Sequence, residues 1–159
     1  MKTKLVAAML LFGAWSVVAT GQGDDEKKEL DKFKGTWKLT SEVDSGTNIP
    51  ADPNEVFVFE GTKVVNKVGP KITDEFNLKL NLKAMPKEID LIPLKEPNKG
   101  VPSPAIYKME GNKLTICVNF ATGGKRPNAF ESNQTNRNII LTMEKMEDKK
   151  KDKDKDKDK

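Results

Sequence analysis

The sequence predicts an all-β domain: an antiparallel up-and-down barrel of eight strands preceded by a short N-terminal helix. About eight short segments carry apolar residues at every second position, and turn residues separate them. No helical pattern of roughly 10–15 residues lies between these segments, which argues against parallel βαβ units. Such strands close into a barrel whose interior is either filled by side chains or holds one small ligand, and a β-sandwich is the alternative all-β architecture.

Both ends of the 159-residue chain differ from the part between them. Residues 1–21 begin with lysines, continue with the apolar run 5–19 and end in small residues, which predicts a cleaved signal peptide. The run is shorter than the roughly 20 residues that cross a bilayer, so we expect no stable membrane insertion after cleavage. Residues 148–159 alternate Lys and Asp and are expected to form a disordered tail. The predicted domain is 22–147, in a secreted or periplasmic protein.

The formal net charge of +4 comes from the two ends of the chain. Lys2 and Lys4 contribute two charges, and the seven Lys and five Asp of residues 148–159 contribute two more, so the domain itself is neutral. A neutral domain lacks the basic face that nucleic-acid binding requires, and no nucleic-acid partner is expected.

The first predicted element is a helix over residues 24–34. Asp24 can cap its N-terminus, and Leu30 and Phe33 form an apolar i, i+3 pair. Gly35 ends the helix because glycine lets the chain turn tightly into the next element. A helix this short is not stable alone in water, so it has to pack on the barrel.

After the helix the apolar period changes from helical to two. The clearest stripe is Phe76, Leu78, Leu80 and Leu82, which alternate with polar residues and predict one buried face and one wet face. A turn at 109–113 contains Gly and Asn, which supply the positive φ of a hairpin. The predicted strands begin at Trp37 and continue over 56–59, 63–68, 76–82, 88–92, 105–109, 113–120 and 138–145.

Two irregular segments interrupt the strands, at 94–104 and 121–137. Loops of this length are uncommon in compact domains and tend to be functional or disordered. In the second loop Pro127 stiffens the backbone after Arg126, which would hold Arg126 at the barrel mouth to meet an anionic group. In the alternative interpretation, Arg126 pairs with a barrel carboxylate and pins the loop. The sequence leaves both interpretations open.

The residue content excludes several kinds of chemistry. The chain has no histidine, which removes Ser-His-Asp and Cys-His catalysis and the usual zinc ligand sets. Cys117 is the single cysteine, so no intrachain disulfide forms, and a structural thiol is expected. The carboxylates of Asp74, Glu75, Glu88 and Asp90 lie at strand ends or on polar faces, where solvated charges are expected. We therefore expect no enzyme activity, no metal and no cofactor.

Five segments carry a resemblance to a known family: Phe-Lys-Gly-Thr-Trp-Lys at 33–38, Ile-Asp-Leu at 89–91, Ile-Tyr at 106–107, Gly-Asn-Lys-Leu-Thr-Ile-Cys at 111–117 and Lys-Arg-Pro-Asn-Ala-Phe at 125–130. In this order they resemble a family of uncharacterised lipocalin-like domains that is abundant in planctomycetes. The resemblance covers residues 30–145 and implies an exported barrel whose closed end is plugged by Trp37. It implies no reaction. Lipocalins commonly stack an Arg of the last strand on this Trp, and Lys145 stands there in this chain, giving a weaker planar contact.

Two functional hypotheses remain open. In the first, the barrel binds a small, largely apolar ligand, with Arg126 or Tyr107 orienting a polar end. The other candidate contacts are Trp37, Phe76, Leu78 and Leu80, for which packing in a filled core is the alternative role. In the second hypothesis the barrel is packed, and the protein is a non-catalytic interaction or structural module of the envelope that uses loop 121–137. The sequence does not specify its protein partner.

Overall fold

The computed structural model describes residues 22–147, so the predicted signal peptide and the predicted Lys/Asp tail lie outside the described residues. Within this range the chain forms one helix and nine strands. These are α1 (Gln22–Phe33), β1 (Gly35–Asp44), β2 (Thr47–Ile49), β3 (Glu55–Glu60), β4 (Lys63–Val68), β5 (Lys71–Asn81), β6 (Lys87–Pro93), β7 (Ser103–Glu110), β8 (Lys113–Val118) and β9 (Ile139–Lys145).

The strands form one antiparallel sheet that closes on itself. Strands β1 and β3 to β9 pair in chain order, and β9 pairs again with β1, so eight strands form a closed barrel. The three residues of β2 pair only with the end of β1, as a hairpin beside the barrel. Closure leaves no unpaired edge in the barrel itself. The predicted eight-stranded up-and-down barrel with a short helix before it is therefore confirmed.

One predicted strand is too long at its C-terminal end. The apolar pattern predicts a strand over 113–120, but β8 ends at Val118. The side chain of Asn119 accepts a hydrogen bond from the backbone N–H of Ala121 at 3.0 Å, which turns the chain away from the sheet. The hairpin between β7 and β8 forms as predicted, with Gly111 at φ +62°.

Helix α1 covers one end of the barrel, which is called the closed end below. Phe33, the last residue of α1, is fully buried, and its ring centroid lies 5.1 Å from that of Tyr107 and 5.5 Å from that of Phe59. The indole N–H of Trp37 donates to the carbonyl oxygen of Phe33 at 2.6 Å. Through these contacts the apolar side of α1, which has no partner within the helix itself, is buried against the barrel.

A buried carboxylate fastens α1 to the barrel. Glu29 is 5% exposed and accepts hydrogen bonds from the Nζ of Lys32 at 2.7 Å, the Nζ of Lys87 at 2.6 Å and the hydroxyl of Tyr107 at 3.0 Å. Burial by itself raises the pKa of Glu29, but these three hydrogen bonds outweigh it and lower the pKa to about 2. Burial raises the pKa of Tyr107 and the Glu29 hydrogen bond raises it further, so its hydroxyl stays a donor.

Lys145 packs against the indole ring of Trp37, its partner across β1 and β9. Its Nζ is 5.3 Å from the centroid of the indole ring and donates to the carbonyl oxygen of Lys32 at 3.2 Å. The lysine thus makes the cation–π contact that the sequence predicts in place of an arginine stack. Gly35 makes room for it: a Cβ on Gly35 would lie 3.2 Å from the Cε of Lys145, and φ of Gly35 is +121°.

Replacing Gly35 by alanine tests this close approach. We expect G35A to lower the free energy of unfolding by about 1–3 kcal/mol, because an L-residue is strained at this φ and its methyl group would crowd Lys145. G23A is the matched control, since a Cβ on Gly23 meets nothing within 4 Å. Urea denaturation measures both variants, and an equal stability of G35A and G23A would contradict the account.

The Glu29 cluster predicts a specific pH dependence. Because folding lowers the pKa of Glu29 from 4.5 to about 2, the charge contributes stability above pH 4.5 that is lost as the pH falls from 4.5 towards 2. The contribution is up to about 3 kcal/mol, at ~1.4 kcal/mol per pK unit. The free energy of unfolding, measured from pH 7 down to about 2.5, should therefore fall less steeply for E29Q than for the wild type.

The control for this measurement is E26Q on the same helix. Glu26 takes no part in the cluster, so E26Q should keep the wild-type pH dependence. If the free energy of unfolding falls equally for E29Q and the wild type between pH 5 and 3, Glu29 does not fasten the helix.

Candidate functional site

A cavity of about 220 Å³ lies inside the barrel, at the end away from α1. Its wall is mostly apolar, with four polar side chains near the mouth. The apolar lining is Phe57, Phe59, Val64, Phe76, Leu91, Ile116, Phe120, Ile139 and Leu141, and the polar lining is Glu42, Glu55, Asn66 and Asp74. A cavity of roughly 150 Å³ holds benzene, and drug-sized ligands need about 300 Å³ or more. This cavity therefore has the size for a small molecule little larger than one ring.

The apolar stripe of β5 faces the barrel interior as predicted. Phe76 lines the cavity, whereas Leu78 and Leu80 face the same interior but belong to the core outside the cavity lining. Trp37 and Tyr107 are also core residues, and they lie at the closed end against α1. Of the predicted contact residues, the structure thus brings only Phe76 to the cavity.

Arg126 lies on the outer wall of the barrel. Its Nη2 donates to the Oδ1 of Asp90 at 2.5 Å, and its Nε lies 3.6 Å from the Oε1 of Glu88. Its Nη1 donates to the carbonyl oxygens of Ile89 and Ala105, at 3.2 and 2.5 Å. Asp90 points outward because its neighbours on β6 are buried in the core. Arg126 therefore pins its loop to β6 and β7, which is the second of the two predicted interpretations, and it does not contact the cavity.

The loop between β8 and β9 covers part of the outer wall. Ile106 and Cys117 face each other across β7 and β8, on the outer face, and both are buried. The Sγ of Cys117 donates to the carbonyl oxygens of Ala129 at 3.6 Å and Glu131 at 3.8 Å. Burial raises the pKa of the Cys117 thiol, although the contact with Glu131 acts in the opposite direction. The loop shields an unreactive thiol, as expected for a structural cysteine.

Asparagines give this loop a fixed shape. The buried Asn119 donates to the carbonyl oxygen of Asn136 at 3.3 Å and to the Oδ1 of Asn138 at 3.4 Å. Asn138 in turn donates to the carbonyl oxygen of Glu131 at 3.1 Å. A Cβ on Gly124 would lie 2.4 Å from the Oδ1 of Asn119, so only glycine fits there. The loop between β8 and β9 is therefore ordered, and it packs on the outer wall of the barrel.

A β-bulge turns Glu42 into the barrel. Thr40 has no partner in the ladder between β1 and β9, and beyond it Glu42 pairs with Leu141. Directly opposite residues share a face of the sheet, and Leu141 faces the core, so Glu42 faces the interior as well. Burial raises the pKa of Glu42, and the nearby carboxylates of Glu55 and Asp44 raise it further.

The amide of Asn66 leaves one acceptor unused beside the cavity. Its Nδ2 donates to the Oε1 of Glu55 at 2.9 Å, and its Oδ1 is the one buried side-chain polar atom without a hydrogen bond among residues 22–147. An ionised carboxylate only accepts, so this pairing fixes which way the amide points. A buried acceptor without a partner is unfavourable by about 1–3 kcal/mol.

The sequence interpretation missed most of this rim. The sequence predicts Asp74 as a solvated carboxylate and assigns no role to Glu42, Glu55, Asn66 or Phe120. The inward position of Glu55 follows from its alternation with Phe57 and Phe59, a signal that is present in the sequence. The inward position of Glu42 depends on the bulge at Thr40, which breaks the alternation and gives no comparable signal.

The Arg126 contacts predict the effect of removing this side chain. In R126A the loop loses its link to Asp90 and to two strand carbonyls, so it should open more often and expose Cys117. We expect a Cys117 modification rate with a thiol reagent at least about tenfold above that of the wild type, since tenfold corresponds to only ~1.4 kcal/mol of lost loop stability. K125A, which removes the exposed neighbouring side chain, is the control. Equal modification rates in R126A and K125A would contradict the pinning role.

The described residues contain neither a metal centre nor a membrane-spanning helix. No group of three or more His, Cys, Asp or Glu residues that could hold a metal ion occurs in 22–147. In the same range, no helix has the length and hydropathy needed to cross a bilayer. No protein-family model matches the chain, and neither a curated protein nor a solved structure matches it.

Proposed function

We propose that the protein binds a small, largely apolar molecule in the cavity at the open end of its barrel and is not an enzyme. The observation that carries the proposal is the cavity of about 220 Å³ inside the barrel, at the end opposite the buried Phe33, Trp37 and Tyr107. Protein interiors are close-packed, so an apolar space that the chain's own side chains do not fill is available to a ligand.

The wall of the cavity supports an apolar ligand in particular. Nine of its lining residues are apolar, and they come from β3, β4, β5, β6, β8 and β9 as well as from Phe120 in the following loop. Side chains from so many strands surround a ligand on most sides, which is how small-molecule sites exclude water. Polar groups lie only towards the mouth, so they would meet one end of the ligand.

The family and the location of the protein are part of the proposal. The closed barrel, the helix before Gly35 and the contact of Lys145 with Trp37 support membership of the lipocalin-like family that the sequence motifs resemble. Export to a secreted or periplasmic location rests on residues 1–21 alone. No protein partner is part of the proposal, because the ordered loop over β7 and β8 already covers its own section of the barrel.

Filling the cavity with a larger side chain tests the proposal. Ile139 lines the cavity, and I139W should occupy much of the space. With benzyl alcohol as a neutral one-ring ligand, we expect saturable binding to the wild type in isothermal titration calorimetry and a loss of at least tenfold in affinity for I139W. Native mass spectrometry of the purified protein should also detect any small molecule carried through purification.

The control makes the same substitution at an exposed isoleucine. Ile72 is 43% exposed and does not line the cavity, so I72W should bind benzyl alcohol as the wild type does. Thermal unfolding checks that both variants are folded. A wild type that binds no neutral ligand, or an I139W variant that binds it unchanged, would refute the proposed function.

A further inference from the structure

The polar groups around the cavity are all able to accept hydrogen bonds, and most carry negative charge. Glu42, Glu55 and Asp74 contribute carboxylates, and Asn66 contributes an amide whose donor is already used by Glu55. No Lys or Arg is among the described residues that line the cavity. A ligand end that reaches this rim therefore meets acceptors and no cation.

The unpartnered oxygen of Asn66 is a second, independent indication of a missing donor. Its Oδ1 is buried and accepts no hydrogen bond within the described part of the chain. The amide cannot turn round to satisfy this atom, because it would then point a carbonyl oxygen at the carboxylate of Glu55. A donor carried by a ligand would pair with the oxygen after a small displacement of the side chains that cover it.

The aromatic wall of the cavity suits a cation as well. Phe57, Phe59, Phe76 and Phe120 all line it, and the rings of Phe76 and Phe120 have their centroids 6.5 Å apart. The face of a phenyl ring attracts an ammonium group, most strongly where water is excluded. Phe120 is 40% exposed, so this pair of rings extends from the cavity to the surface.

We infer that the ligand is a small organic amine, with an apolar body in the cavity and a protonated amino group at the rim formed by Glu42, Glu55 and Asn66. This inference rests on the proposed function and names its ligand class. The ammonium group supplies up to three hydrogen-bond donors and a positive charge, which match the free Asn66 oxygen and the nearby carboxylates. A carboxylate ligand of the same shape would meet like charges and is rejected.

Three ligands of one shape and different charge test the inference. Benzylamine, benzyl alcohol and benzoate share a ring and differ in the group that would reach the rim. Calorimetric titration of the full chain at pH 7 and low salt should give benzylamine an affinity at least about tenfold above that of benzyl alcohol, and should detect no benzoate binding. The preference for benzylamine should weaken as salt is added.

Variants that replace one carboxylate by an amide show which residue binds the ammonium group. E42Q should lower the ratio of the benzylamine affinity to the benzyl alcohol affinity about tenfold, because it removes a carboxylate that only the ammonium group pairs with. E60Q removes the same charge from an exposed position outside the cavity and should change neither affinity. Removing the charge of the half-buried Glu42 does not threaten the fold, since its neighbours Glu55 and Asp44 are also acidic.

The outcomes separate this inference from the proposed function. Binding of benzyl alcohol with an affinity equal to or above that of benzylamine would refute the amine inference and leave the apolar site standing. A preference for benzylamine that E42Q and E60Q reduce equally would also refute it, because the effect would then come from net charge alone. Binding of none of the three ligands would refute both the inference and the proposed function.

Discussion

Strand β1 has to pair with two neighbours for this sheet to become a barrel, and the rest of the structure depends on how it does so. It pairs with β3 over Gly35–Lys38 and with β9 from Trp37 to Asp44, and the unpaired Thr40 forms a bulge within the ladder to β9. Bulges increase the local twist of a strand, which closure requires. The same bulge reverses the alternation, so that β1 presents Trp37 and Leu39 to the core below it and Glu42 to the cavity above it.

The two ends of the barrel differ because the chain fills only one of them. At the closed end Phe33 enters the interior from α1, and the buried carboxylate of Glu29 pairs with Lys32 and Lys87 and accepts a hydrogen bond from the hydroxyl of Tyr107. A buried charge is tolerable only when it is paired and hydrogen-bonded in this way. At the open end no element of residues 22–147 fills the cavity, and none of the described residues that line it is a Lys or an Arg. The proposed ligand would fill the open end of the barrel, as Phe33 of α1 fills the closed end.

The sequence predicts features that depend on local patterns and misses those that depend on pairing at a distance. Alternation along β5 and the Gly-Asn turn at 109–113 identify the strands and a hairpin, whereas the contact of Lys145 with Trp37 is expected only through the resemblance to lipocalins. The roles of Glu29 and Arg126 required the fold, because their partners lie 58 and 36 residues away at Lys87 and Asp90. The inward position of Glu42 depends on the bulge at Thr40, which no residue type predicts.

The ionisation of Glu42 tests the central claim most directly, since it depends on the bulge, the cavity and the proposed ligand together. A ¹³C NMR titration of the Glu42 carboxyl carbon, first without ligand and then with saturating benzylamine, measures its pKa in both states. The account predicts a pKa above the ordinary 4.5 in the free protein, because Glu42 is partly buried beside Glu55 and Asp44, and a pKa lowered by bound benzylammonium. An ordinary pKa that benzylamine leaves unchanged would place Glu42 in solvent and contradict the account.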